Sequence, residues 1–355
     1  MKARIKGLLI KSSPLYRAAL AMAAFGRGFR GLIRGRRGAW DHILSTASMA
    51  LGSSRIAGRP INVTLEPANV CNLRCPVCET GAGILGRAPG MMKLAEFALI
   101  MDKIADHTNT LMLYFMGETF LNRDAYRMIS LAKEKGVPFV TTCTNGDLLD
   151  PEKLVESGVD EVSFQIGGMT QATHETYRVG GNLERTLDNL RETVRIRNER
   201  RPGMKVMCGM ILMKHNEVEI GEFHSKMAEW GVDEAVIVDP CVRTVEQGRR
   251  MLPSDRSHWF YDPAAFESGL LVPKHKDPAG CPWLYYSLSI LVNGDVVPCC
   301  RDATGGHVMG NLLLADFEEI WNGDAFRTFR SEVHNGANRP DICRLCSGYG
   351  VSRIM

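Results

Sequence analysis

No apolar run in the chain reaches the ~20 residues that a bilayer crossing needs; the best stretch, Leu15 to Phe25, is short and holds Arg17. A membrane span is therefore not expected. The start Met1-Lys2-Ala3-Arg4 lacks the longer apolar core and small-residue cleavage site of a secretory signal, which points to a cytoplasmic protein. Acid is nearly missing from the first 60 residues, where Asp41 stands alone against Lys2, Arg4, Lys6, Lys11, Arg17, Arg27, Arg30, Arg34, Arg36, Arg37, Arg55 and Arg59. That segment carries +11 and the rest −8, within a total of +3. The arm and the body must meet different surroundings, the arm facing something anionic or the acidic body itself. Nucleic acid is not expected as a partner. Internal repeats and low-complexity tracts are absent as well.

The remaining text is that of a folded chain. With 355 residues, 45% hydrophobic and 23% charged, it can bury a large core in one big domain with an appendage. Residues 1–60 read as basic helix and loop, either lying on a membrane surface or packed on the body with the arginines in water. From residue 61 to 240, short β-branched runs alternate with longer amphipathic ones, the signature of βα units and a parallel sheet. Strands are expected at Ile61–Glu66, Thr110–Met116, Val137–Cys143, Glu161–Ile166, Lys205–Met213 and Glu234–Asp239. Helices are expected at Leu94–Asp106, Arg123–Lys135, Pro151–Ser157, Leu183–Arg200 and Glu217–Trp230, with Gly136, Gly158 and Gly231 as left-handed stops. Six such units give an α/β fold, a partial (βα)6 TIM-like barrel, whose active-site residues belong just past the C-terminal ends of the strands. Residues 241–280 form a proline-bearing connector with at most a short helix. Residues 281–355 form a small cysteine module with a hairpin, Leu288–Val292 and Val296–Cys299, around Asn293-Gly294-Asp295.

Eleven cysteines in a reducing compartment need a reason, and seven of them fall into short-spaced sets. Immediately after the first strand, Cys71-Asn-Leu-Arg-Cys75-Pro-Val-Cys78 can close three thiolates on three corners of an iron–sulfur cubane, leaving one iron open. A zinc ion would want a fourth ligand nearby, and none is local. Cys143, Cys208 and Cys241 fall in or beside strands and read as small buried hydrophobes.

This spacing at the end of the first strand of a six-unit barrel resembles the radical S-adenosylmethionine superfamily, over about residues 61–350. The resemblance implies a 4Fe–4S cluster on Cys71, Cys75 and Cys78 and S-adenosyl-L-methionine chelated to its open iron. It further implies a 5′-deoxyadenosyl radical that abstracts a substrate hydrogen, and a reducing partner such as flavodoxin or ferredoxin. Val77 departs from the aromatic common at its position. Phe115-Met-Gly117-Glu118 resembles the Gly-Gly-Glu-Pro stretch, so Gly117 would admit close backbone approach and Glu118 would accept from the methionine ammonium. Thr144-Asn145-Gly146 resembles the Thr-Asn-Gly turn that faces the cofactor. Gln165-Ile-Gly167-Gly168 with His174 and Arg178 resembles the pattern Ser-x-Asp-Gly followed by His and Arg. Gln165 would stand in for the serine, Arg178 would pair with the cofactor carboxylate, and His174 would orient a loop. Gly167 replaces the usual aspartate, opening space or removing a charge.

By spacing alone, Cys281, Cys299 and the pair Cys343-Arg-Leu-Cys346 suit zinc or an iron–sulfur cluster equally. The stretch resembles the SPASM and twitch auxiliary modules of the same superfamily, including Asn293-Gly-Asp-Val-Val-Pro-Cys299, Gly310-Asn311-Leu312 and Ile320-Trp321-Asn322. That implies one auxiliary 4Fe–4S cluster on Cys281, Cys299, Cys343 and Cys346, two clusters in all, with Cys300 competing for the place of Cys299. A fully ligated second cluster would be an electron relay. The expected activity is oxidation or rearrangement of a small polar, sugar- or cyclitol-like substrate. The alternatives are a peptide-modifying maturase, a lipid-modifying enzyme with residues 1–60 at the inner membrane surface, an electron-transfer protein, or a zinc module.

Overall fold

The computed structural model describes residues 13–274, 281–335 and 339–346. The six strands expected from the sequence form a parallel sheet: β1 (Asn62–Leu65), β2 (Thr110–Met112), β3 (Phe139–Thr144), β4 (Glu161–Ile166), β5 (Lys205–Ile211) and β6 (Glu234–Val238). Their order follows the chain, each strand pairing in parallel with the next. This is a partial barrel that is not closed, and the sheet runs on past β1. There β7 (Ser287–Ile290) pairs with β1 in parallel, and β8 (Asp295–Val297) and β9 (Gly310–Asn311) continue it antiparallel. The hairpin of the cysteine module is therefore hydrogen-bonded into the barrel sheet.

Alternation along the strands sorts the two faces. On β4, Val162, Phe164 and Ile166 are fully buried against the helices, while Glu161, Ser163 and Gln165 are half-exposed on the barrel's inner face. The outer face packs on Phe97, Ile100, Met128, Leu190, Val194 and Phe223, each such side chain contributing ~1.5–3 kcal/mol of burial. The connecting helices are Leu94–Ile104, Ala125–Glu134, Pro151–Glu156, Gln171–Tyr177, Leu183–Arg200 and Ile220–Glu229. Asp150 and Asn182 cap two of them, accepting from Lys153 N and Arg185 N. Gly136, Gly158 and Gly231 stop three, all with positive φ.

Several boundaries differ from expectation. β2 ends at Met112 because the backbone beyond it turns to meet the loop after β1, Met116 N donating to Glu66 Oε1. The expected helix from Glu217 opens as a 3-10 turn, Glu217–Glu219. The connector holds more than one short helix: Val245–Met251 and Pro263–Glu267 enclose a small core of Val242, Leu252, Tyr261 and Phe266.

Residues 13–50 form a helical hairpin, Ser13–Ile33 and Ala39–Ala50. It sits at the N-terminal ends of the strands. Arg37 donates to Ala105 O, Asp41 accepts from Arg59, and Thr46 Oγ1 bonds the Tyr286 hydroxyl, contacts to residues that precede β1, β2 and β7. The Trp321 indole donates to Gly58 O and the Asn322 amide brackets Ile56. The Ile-Trp-Asn signature thus clamps the segment that leads into β1.

Candidate active site

At the opposite, C-terminal ends of the strands one cleft is walled by Cys71, Cys75, Cys78, Gly117, Glu118, Thr144, Asn145, Gln165 and Arg178, together with Tyr114, Phe115 and Cys143. All nine residues singled out from the sequence for the first cluster and its cofactor meet here. They come from the loops after β1 and β2, from the end of β3 and the loop after it, from the end of β4 and from the C-cap of helix Gln171–Tyr177, as a parallel barrel requires.

The Glu118 carboxylate is the hub. It is 3% exposed and accepts from Thr144 Oγ1 at 2.7 Å, Asn145 N at 2.8 Å and Phe120 N at 3.2 Å. Burial raises its pKa, and these hydrogen bonds oppose the rise. A carboxylate has about four acceptor sites, so one stays open to a further donor. Gly117 admits a close approach of the chain's own backbone. With φ at 79°, a Cβ there would lie 2.6 Å from both Ala68 O and Val70 O, and Glu118 N donates to Val70 O at 2.8 Å. The loop after β2 is thereby pinned against the residues that lead into Cys71.

Asn145 reaches across to the cysteine loop, its Nδ2 donating to Asn72 Oδ1 at 2.9 Å and standing 3.9 Å from Cys71 Sγ. Leu73 N donates to the same sulfur at 3.4 Å. Arg178 Nη1 is 3.8 Å from Cys75 Sγ, while its Nε is buried without a partner. Burial pushes the Cys71 thiol up to about 11 and raises Cys75 as well; a bound metal reverses that, because a coordinating thiol is deprotonated outright. Gln165 Nε2 donates to Ser163 Oγ at 2.8 Å, and its amide lies over Gly209, where a Cβ would collide with it.

Three expectations change. Gly167 does not open space: a Cβ there would lie 2.7 Å from His174 O and 3.0 Å from Arg178 Cγ, so the end of helix Gln171–Tyr177 fills the place. Cys143 is not a sequestered hydrophobe but a wall of the cleft. Cys241 lies 3.4 Å from Arg301 Nη1 and 3.5 Å from the Tyr261 hydroxyl, a polar setting; only Cys208 sits in the core as expected. His174 does tie a loop, its Nδ1 accepting from Gly167 N at 3.3 Å. Two contributors went unnoticed. Gly81 lets the loop after Cys78 fold onto Cys75, where a Cβ would strike Cys75 N at 2.5 Å. Asn216 donates to Gly167 O and Ile211 O, joining the loops after β4 and β5; a lone Asn in a loop carries no signal for that.

In the small module the Cys281 thiol is pushed up to about 12 by burial and then by Cys346 and Cys343. Cys299 is raised by burial and then by Cys300, Cys281 and Cys346, whereas Cys346 is the one expected ligand that acts on Cys300. None of the eleven cysteines is joined in a disulfide. Among the described residues no three His, Cys, Asp or Glu side chains converge on a point that one ion could fill. The fit to clusters is one of donor type and shared position. For the cofactor, the fit rests on the orphaned Arg178 Nε and the spare acceptor site of Glu118.

The Radical SAM superfamily profile matches residues 65–226, and the SPASM profile, an iron-sulfur cluster-binding domain, matches residues 281–347. An AdoMet-dependent heme synthase of Nitratidesulfovibrio vulgaris is 30% identical over 129 residues, 35% of this chain and 35% of the relative; the match spans about a third of that protein. An AdoMet-dependent heme synthase of Methanosarcina barkeri is 26% identical over 320 residues, 78% of this chain and 87% of the relative. Streptococcus suis SuiB, solved with its precursor peptide SuiA, superposes with a TM-score of 0.58 at 14% identity, covering 82% of this chain and 70% of that one. The likeness to SuiB is one of fold. With three thiols, a buried carboxylate and an arginine brought to one cleft, and with both profiles matched, the chain belongs to the radical SAM superfamily and carries a C-terminal SPASM iron–sulfur module.

Proposed function

We propose that this radical SAM enzyme oxidises or rearranges a small polar substrate, such as a sugar or cyclitol, at the cleft that Cys71, Cys75 and Cys78 share with Glu118 and Arg178. The single observation that carries this is the convergence of all nine residues on one site. When bound, a 4Fe–4S cluster and S-adenosyl-L-methionine supply the reductive cleavage that gives a 5′-deoxyadenosyl radical, the hydrogen-abstracting species of the superfamily.

The chain's own residues hold that chemistry in place. Arg178 offers its unpaired Nε to the cofactor carboxylate. Glu118 offers its spare acceptor site to the ammonium. Thr144 and Asn145 keep Glu118 in position and tie it to the cysteine loop. The barrel's inner face supplies Thr141, Glu161, Ser163 and Gln165, polar groups suited to hydroxyls. Cys281, Cys299, Cys343 and Cys346 are the residues that would hold a second cluster, which would supply an electron acceptor for an oxidation. A flavodoxin or ferredoxin is the class of reductant, and residues 1–60 are the part we place against a membrane surface.

Anaerobic reduction with S-adenosylmethionine followed by mass spectrometry tests this. Release of 5′-deoxyadenosine, carrying deuterium from a labelled sugar or cyclitol, is expected. Undiminished turnover after replacing Cys71, Cys75 and Cys78 by alanine would overturn the site, and deuterium gained only from a peptide would overturn the substrate class.

A further inference from the structure

Helix Ser13–Ile33 displays three stripes, since each residue turns the helix by about 100°. Ala21, Ala24, Gly28 and Gly31 face the second helix of the hairpin: a Cβ at Gly28 would lie 2.5 Å from Ile43, and one at Gly31 would lie 3.0 Å from Ala39. Met22, Phe29, Leu32 and Ile33 fall within an arc of about 100° on another flank. They are left in water, Met22 at 69%, Phe29 at 55% and Ile33 at 85% exposure. Arg27, Arg30 and Arg34 occupy a third arc. Among the described residues Arg30, Arg34 and Arg36 make no ion pair, and the one acid of the arm, Asp41, is taken by Arg59.

An exposed apolar stripe beside unpaired guanidinium groups is the pattern of a helix lying in an anionic lipid interface, where apolar side chains enter the acyl boundary and cations meet phosphates. An acidic protein groove would satisfy the arginines but not the length of the apolar row, and a second copy of this helix would set like charges against each other. We propose that helix Ser13–Ile33 docks on an anionic phospholipid surface through Met22, Phe29, Leu32 and Ile33, with Arg30 and Arg34 on the headgroups. The proposal rests on the placement of residues 1–60 against a membrane and adds to it the face and the orientation. The hairpin covers the N-terminal ends of the strands, whereas the cysteine cleft opens at their C-terminal ends. A chain held this way turns its cleft away from lipid, so the substrate arrives from water and a lipid substrate is disfavoured.

The test is flotation of the full-length, anaerobically prepared holoprotein with vesicles containing phosphatidylglycerol, compared with pure phosphatidylcholine. The expected result is flotation with the anionic vesicles alone. Partitioning should fall roughly thirtyfold in Arg30→Gln/Arg34→Gln and at least roughly tenfold in Phe29→Ser/Ile33→Ser. Iron content and 5′-deoxyadenosine production of both variants should match the parent, since these side chains face solvent. Flotation of the parent with both variants undiminished would keep the membrane contact and overturn this helix as its face. No flotation of the parent would overturn both. A dimer in sedimentation velocity that disappears in Phe29→Ser/Ile33→Ser would assign the stripe to self-association and overturn the lipid occupant.

Discussion

Arg87 donates from Nη1 and Nη2 to the two carboxylate oxygens of Glu66, at 2.6 and 2.7 Å, and this pair ties the first cysteine loop to the auxiliary module. Glu66, fully buried at the end of β1, also accepts from Met116 N and Val292 N. Arg87 in turn donates from Nε to Ala303 O, on the segment that follows Cys299 and Cys300. A bidentate pair with all its lone pairs used is the geometry in which burying charge is tolerated. Replacing Arg87 by methionine leaves Glu66 buried and unpaired, and should cost ~3–5 kcal/mol. Arg87→Lys keeps the charge but loses the fork and should cost less. Urea unfolding of the anaerobic protein checks the order, and an unchanged midpoint for Arg87→Met would contradict it.

Gly117 and Glu118 should separate structure from binding. An alanine at 117 puts a Cβ against two carbonyl oxygens at a positive φ, so it should destabilise by at least ~1–3 kcal/mol and release iron from the first cluster. Glu118→Gln keeps the shape and should keep the iron. It should weaken S-adenosylmethionine binding roughly tenfold to a hundredfold by removing a charged partner. Equilibrium dialysis with the cofactor and iron analysis report the two effects independently.

His174 gives the stability a pH dependence. Burial, and then the charge of Arg178, depress its pKa from 6.5 to about 4. The unfolded chain therefore binds the proton first, and stability present above pH 6.5 is lost as pH falls towards 4. In His174→Gln that slope should flatten while the rest of the acid response persists. Parallel slopes for the parent and the variant between those limits would show that the ring stays protonated in the fold.

Cys299 and Cys300 should differ in iron. If Cys299 is the auxiliary ligand, Cys299→Ala should lose up to about four irons per chain while Cys300→Ala loses few. The reverse pattern would move the ligand to Cys300.

Much of this site was legible in the chain. Strand-end residues of a parallel barrel converge by topology, while the choice of Glu118, Asn145 and Arg178 among them came from the resemblance to the radical SAM superfamily and not from their spacing. What stayed hidden depends on side chains far apart in sequence. That Cys143 lines the cleft and Cys208 the core follows from which face of its strand each occupies, and both lie in similar apolar text. Whether Gly167 opens space or only removes a charge is decided by the turn of the next helix, not by adjacent residues.

Local chemistry is what the amino-acid order determined by itself. Period-two and helical patterns set the six βα units, and covalent spacing put Cys71, Cys75 and Cys78 together on the loop after β1. Charge composition marked the arm. Tertiary structure alone decided that β7 would join β1, that Arg87 would span from Glu66 to Ala303, and that the basic hairpin would cover the end of the barrel away from the cysteines. Those outcomes are settled by which buried surfaces and paired charges fit together across long sequence separations, a sum that no short window of residues contains.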